Sequence, residues 1–211
     1  MILLTGYEPF GEFEINPSGE MARRLDGQTV AGQTVAGEVL PVAFDRTADR
    51  MADLIDERDP DAVVATGLAG GRSAVAVERV GINVDDAVGT PDNDGADPED
   101  VQIHADGPAA RFATLPVGAV VERCLDRGIP ARLSNSAGTH LCNHLLYATR
   151  EHVERAGLAV PVGFVHLPLH PEEAIRQADE PARGGGVAAS MPLELQADAV
   201  ETAIEVTAGR L

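Results

Sequence analysis

Between Pro60 and Gly67 the chain reads Pro60-Asp61-Ala62-Val63-Val64-Ala65-Thr66-Gly67, an uncharged run from Ala62 to Thr66 with a proline on one side and a glycine on the other. A half-buried strand alternates apolar and polar residues; this run does not, so it is expected to be a strand covered on both faces. Such strands belong to largely parallel sheets flanked by helices. Working outward toward the N-terminus, Arg46 to Glu57 has the period of an amphipathic helix with Ala48, Met51, Ala52 and Ile55 inward, and Val35 to Val42 reads as a second strand. Met1 to Thr5 is a third strand ending in Gly6. The loop after it carries Phe10 and Phe13 before Asn16-Pro17-Ser18 opens a helix.

Toward the C-terminus, Ala74 to Val80 alternates as a strand but is interrupted by Glu78 and Arg79. Residues 89–108 are rich in glycine, proline and aspartate and predict a long surface loop, with a short strand near Gln102-Ile103-His104. Pro116 to Arg127 is a helix that buries Val117, Val120, Val121 and Cys124. Ala131 to Ser134 and Val160 to Leu167 are strands, and Pro171 to Gln177 begins another helix. Gly184-Gly185-Gly186 is a flexible link into a closing helix, Pro192 to Thr207, with Leu195, Ala199, Ala203 and Val206 inward. The expected architecture is α/β: residues 1–211 as a single-domain three-layer α/β/α sandwich around a largely parallel, twisted mixed sheet.

The formal charge of -18 speaks against nucleic acid and anionic membranes as partners, since both need a basic surface. All 16 basic residues are arginine and only 3% of residues are aromatic, a composition resembling that of salt-adapted cytoplasmic proteins. Self-repulsion of this kind is screened when the Debye length falls to about 3 Å near 1 M salt. Met1-Ile2-Leu3-Leu4 is too short for a signal-peptide core and no run is long enough to span a bilayer, so a cytoplasmic setting is expected. Cys124 and Cys142 are then expected to stay reduced.

Chemistry enters at Ser134-Asn135-Ser136-Ala137-Gly138-Thr139-His140-Leu141-Cys142-Asn143-His144, where small turn-forming residues deliver a cysteine into the first turn of a helix. Leu141, Leu145, Leu146, Ala148 and Val153 give that helix its period, and Thr139 is its expected N-cap. The amide-rich helix end favours thiolate over thiol at Cys142, whereas a cysteine such as Cys124 on a helix's apolar face is core. A thiol nucleophile needs a base that can also protonate a leaving amine, which an imidazole does. His152 is too far along the helix, His140 and His144 each lie two residues from Cys142 and so face a different way from it, and His104 lies in the acidic loop. His166, at the carboxyl end of a buried strand, and His170 remain. Glu78 in its apolar strand reads either as the group that orients the base or as an ion-pair partner of Arg79 or Arg72. His140 and His144 have zinc-helix spacing, but Leu141 stands where the glutamate of that motif belongs, so no metal is expected. Gly70-Gly71-Arg72 lacks the spacing and lysine of a phosphate loop and reads as a turn that brings backbone to a substrate.

Ser134 to Asn143 resembles the active-site segment S-N-S-A-G-x-Y-L-C-N of the type I pyroglutamyl peptidases, with His140 at the usual tyrosine. Thr5-Gly6-Tyr7-Glu8-Pro9-Phe10-Gly11, Gly67-Leu68-Ala69-Gly70-Gly71-Arg72-Ser73 through Glu78-Arg79, Pro91-Asp92-Asn93-Asp94-Gly95 and Gly163-Phe164-Val165-His166 also match, in the family's order. The resemblance implies a Cys142-His166-Glu78 triad, hydrolysis of peptides bearing N-terminal pyroglutamate, no cofactor, and a homo-oligomer, dimer or tetramer. Phe10, Phe13 and Leu68 are the residues expected to hold the substrate ring. Asp86-Ala87-Val88-Gly89-Thr90-Pro91 lacks an arginine the family carries there and is one residue longer, so its cationic role is missing or falls to Arg72 or Arg79. The rival readings are a thiol amidohydrolase acting on another small amide and a binding protein that kept the fold without turnover.

Overall fold

The computed structural model describes residues 1–179 and 185–211; the glycine link expected at 184–186 lies partly outside the described residues. Its strands are β1 (Ile2–Tyr7), β2 (Thr29–Val30), β3 (Gln33–Leu40), β4 (Ala62–Leu68), β5 (Val75–Glu78), β6 (Val80–Ile82), β7 (Ala110–Phe112), β8 (Ala131–Ser134) and β9 (Val162–Leu167). Its helices are α1 (Pro17–Leu25), α2 (Thr47–Arg58), α3 (Val117–Asp126), α4 (Leu141–Arg155), α5 (Pro171–Arg176) and α6 (Leu193–Ala208).

Among the described residues the main sheet runs β2-β3-β1-β4-β9-β5-β8. β3, β1, β4 and β9 are parallel, β2 is antiparallel to β3, and β5 is antiparallel to β9 while parallel to β8. β4 is buried at every position, which explains why its sequence does not alternate. Side chains nevertheless divide by parity. Ile2, Leu4, Val64, Val77 and Val165 pack with Met21 of α1, Val120 and Cys124 of α3 and Val200 of α6. Leu3, Val63, Ala65 and Phe164 pack on the opposite face with Met51 of α2 and Leu145 of α4. This is the three-layer α/β fold expected, with a mostly parallel mixed sheet.

Local rules account for the helix starts. Asn16 caps α1 by accepting the Ser18 N–H at 3.1 Å, with Pro17 in the first turn where its missing donor costs nothing. His170 caps α5 in the same way, its ring nitrogen accepting the Glu172 N–H at 3.2 Å. Two expectations fail. No strand forms at Gln102 to His104; β6 and β7 instead make an antiparallel ribbon, and Val101 bridges to Asp85. Thr139 is not the cap of α4: that position belongs to His140, whose side chain makes no cap bond, while the Thr139 hydroxyl donates to Asp86 O.

Candidate active site

Sheet register brings the site together. Gly67 of β4 pairs with His166 of β9, and Ala76 of β5 lies opposite His166, so Glu78 comes opposite Phe164. With the period of two along each strand, Glu78, Phe164 and His166 project from the face that α4 covers. The backbone turns into α4 at Gly138, whose φ of +83° is costly for any residue with a Cβ, and Cys142 occupies the first turn. Gly67 makes room for the sulfur: a Cβ there would lie 2.8 Å from Cys142 Sγ and 2.7 Å from Phe164 Cζ. Cys142 and His166 both line a cavity of about 260 Å³, whose walls include Tyr7, Phe10, Leu68 and His140.

His166 Nδ1 lies 2.7 Å from Glu78 Oε1. An ionised carboxylate only accepts, so Nδ1 carries the proton and Nε2 keeps its lone pair. Arg72 Nη1 donates to the same Oε1 at 2.8 Å and stands 3.4 Å from His166 Nδ1, a contact between two donors that repels rather than binds. Burial tends to raise the Glu78 pKa, but the bond and charge of His166 and the bond from Arg72 win and leave it below the ordinary carboxylate value. Burial lowers His166, which Glu78 partly offsets and Arg72 reinforces, so the imidazole is neutral at neutral pH.

The thiol departs from expectation. Burial, and then the Glu78 carboxylate, push Cys142 up to about 12 against the opposing pull of Arg72 and its own backbone N–H. A helix end offers about 0.3–1 kcal/mol to an anion, too little to reverse a desolvation of this size. At rest Cys142 is therefore a thiol and His166 a neutral imidazole. Cys124, in the core and pushed by burial to about 11, is structural as expected.

Of the residues expected to hold substrate, Phe10 and Leu68 line the cavity, while Phe13 stands behind Phe10 with ring centroids 5.1 Å apart. Of the other histidines, His140 stays in the cavity wall with Nε2 at 2.9 Å from Thr90 O, while His144 Nδ1 meets Asp85 at 2.7 Å and His152 Nε2 meets Asp56 at 2.9 Å. His140 and His144 thus do not converge as a metal pair. Arg72 is the cation beside the His166–Glu78 pair, and Arg79 turns away to Asn135 Oδ1 at 3.0 Å. Tyr7, matched in the sequence only as part of the Thr5 to Gly11 stretch and not expected at the site, is a cavity wall whose hydroxyl donates to Leu141 O at 3.1 Å, next to the cysteine.

A family model described as pyroglutamyl peptidase matches residues 1–210. The chain belongs to the pyroglutamyl peptidase family. It is 50% identical to the pyrrolidone-carboxylate peptidase of Chromobacterium violaceum over 83% of this chain and 80% of that one. It is 40% identical to that of Pyrococcus furiosus over 97% of this chain and 96% of the relative. A solved mutant of the pyrrolidone carboxyl peptidase from Pyrococcus furiosus superposes with a TM-score of 0.93 at 40% identity, covering 100% of this chain and 99% of that one. Membership makes this chain a hydrolase of the family. No described helix is long and apolar enough to cross a membrane.

Proposed function

We propose that the protein is a cysteine peptidase that removes an N-terminal pyroglutamyl residue from peptides, using Cys142, His166 and Glu78. The observation that carries this reading is the meeting of Cys142 with the His166–Glu78 pair at one small, largely apolar cavity. In the proposed reaction His166 Nε2 takes the Cys142 proton as sulfur attacks the pyroglutamyl carbonyl carbon. Negative charge gathers on the carbonyl oxygen, where the Leu141 and Cys142 amides at the start of α4 and the Gly70-Gly71 backbone are the candidate donors. The resulting imidazolium, stabilised by Glu78, returns the proton to the leaving amine and a thioester remains. Water activated by His166 then hydrolyses the thioester, releasing pyroglutamate and restoring the thiol. No cofactor is called for.

The ring is the specificity element. Phe10, with Phe13 buttressing it, offers an apolar face, and the backbone from Leu68 to Gly71 is the candidate partner for the lactam. A site built for hydrogen-bonding groups is left with unpaired polar atoms when they are absent, a loss of roughly 10⁴-fold in specificity. The test is kcat/KM for matched pyroglutamyl, prolyl and glutaminyl amides. Strong preference for the first is expected, and values within about tenfold of one another would favour the broader thiol amidohydrolase.

The same proposal includes the cytoplasmic setting and single domain expected from the sequence and the homo-oligomer that the resemblance implies, with light scattering as the check on the last. The charge of -18 carried without lysine supports adaptation to salt. Melting temperature is then expected to rise between about 0.1 M and 2 M salt as repulsion is screened, and a flat curve would remove that part of the reading.

A further inference from the structure

The segment Pro91-Asp92-Asn93-Asp94-Gly95 stands out in the sequence, yet none of its hydrogen bonds reaches the triad. What it touches is the wall of the cavity. Asn93 Nδ2 donates to Glu8 Oε1 and to Pro9 O, each at 3.0 Å, and the Asn93 backbone N–H donates to Val42 O at 2.9 Å. Glu8 Oε1 also accepts the Val42 N–H at 3.1 Å. Buried Asp92 fixes the turn that presents Asn93: its Oδ1 accepts the N–H groups of Asp94 and Ala96 at 3.0 and 2.8 Å. Its Oδ2 accepts the Phe44 N–H at 2.8 Å. Two adjacent side chains thereby tie together three stretches that are far apart in sequence. Each stretch supplies a wall: Phe10 from the first, Val42 from the second and Thr90 from the third. Asn93 itself is exposed and outside the cavity.

We infer that Asn93, held in place by Asp92, is a positioning residue that sets the width of the ring pocket by clamping the Glu8–Phe10 loop to the Val42–Phe44 stretch. This rests on the reading above that the cavity receives the pyroglutamyl ring. The clamp acts through Phe10, so its loss loosens the fit to the ring while Cys142, His166 and Glu78 stay where they are. Chemistry is spared and binding suffers.

The experiment is a cycle of Asn93→Ala, Phe10→Ala and the double variant, assayed with a pyroglutamyl anilide. Asn93→Ala is expected to raise KM roughly three- to tenfold, the worth of the lost hydrogen bonds, with kcat within about twofold of the parent. In the double variant the Asn93 effect should shrink or vanish, because the wall it positions is gone. Asn93→Gln keeps the donor and should recover part of the loss. Asn93→Asp offers no donor and sets a carboxylate against Glu8, so it should recover none. Additive losses, a fall in kcat at unchanged KM, or an Asn93→Asp enzyme equal to the parent would overturn the proposal. A lowered melting temperature with unchanged KM would also overturn it, reducing the clamp to ordinary scaffolding. If Phe10→Ala alone leaves kcat/KM untouched, the ring-pocket reading fails instead, and the clamp's role in it fails too.

Discussion

Cys124 and Cys142 differ less in their thiols than in their surroundings. Burial raises both, to about 11 and about 12, so neither is a thiolate at rest. Cys124 lies on α3 among Val120, Ile129 and the residues of α6, and the nearby charge acting on it is Arg127. Cys142 opens onto a cavity shared with an imidazole whose Nδ1 proton is held by Glu78. The comparison teaches that a reactive cysteine is defined by a base and an opening more than by a depressed pKa.

The widest gap between the two should come from removing each sulfur. Cys142→Ala, like His166→Ala, is expected to cut kcat/KM by about 10⁴-fold or more with the fold intact. Cys124→Ala should leave kcat/KM in place and cost about 1 kcal/mol in urea unfolding. Activity that survives Cys142→Ala but not Cys124→Ala would reverse the comparison. Glu78→Gln should be milder, about 10²–10³-fold, because the base remains but loses its counter-charge.

Next in size is the space beside the sulfur. Gly67→Ala places a methyl group where Cys142 Sγ and the Phe164 ring already sit, and a displacement near 1 Å is worth about 10²-fold in rate. Unchanged kinetics for that variant would show that the thiol does not need its observed position.

The smallest and most diagnostic effect is on pH. Burial holds His166 below the ordinary 6.5, so kcat/KM should rise through a single acid limb below pH 6.5 and then level off. The sign for stability follows from the same shift. The native state binds fewer protons than the unfolded chain, so this contribution is complete above pH 6.5 and is lost as pH falls beneath it. A limb centred above 7 would mean that Glu78 raises His166 above its ordinary value, and a profile that falls again on the alkaline side would mark an imidazolium paired with a thiolate. Alkylation should follow the same limb at Cys142, with Cys124 unreactive until the protein is unfolded.

Much of this was legible in the chain. The unbroken apolar character of Ala62 to Thr66 announced a central strand, and the small residues before Cys142 announced a tight entry into a helix. Glu78 was visible because a carboxylate in an apolar strand needs a partner. What stayed hidden depended on distant contacts. β6 and β7 are three-residue strands in which only Gly81 is buried, too short for a period to show. The cap of α4 moved from Thr139 to His140 because the Thr139 hydroxyl found Asp86 O instead. The resting state of the thiol is not legible in the sequence because a helix end can be read locally, whereas burial depends on the whole fold. Phe13 and Phe10 are equivalent in composition, and only packing decides which of them faces the cavity.

The order of the strands has a consequence for how the enzyme is born. β4 and β5 follow one another closely in the chain but are not neighbours in the sheet, since β9, nearly a hundred residues later, lies between them. As synthesis proceeds from the N-terminus, both strands must wait with an open edge until residues 162–167 emerge. The slot is filled by the strand that carries His166, so closing the sheet and completing the cavity that His166 shares with Cys142 are one event. A partly made chain therefore carries Cys142 without His166 beside it, and under the proposed mechanism turnover waits for the last central strand.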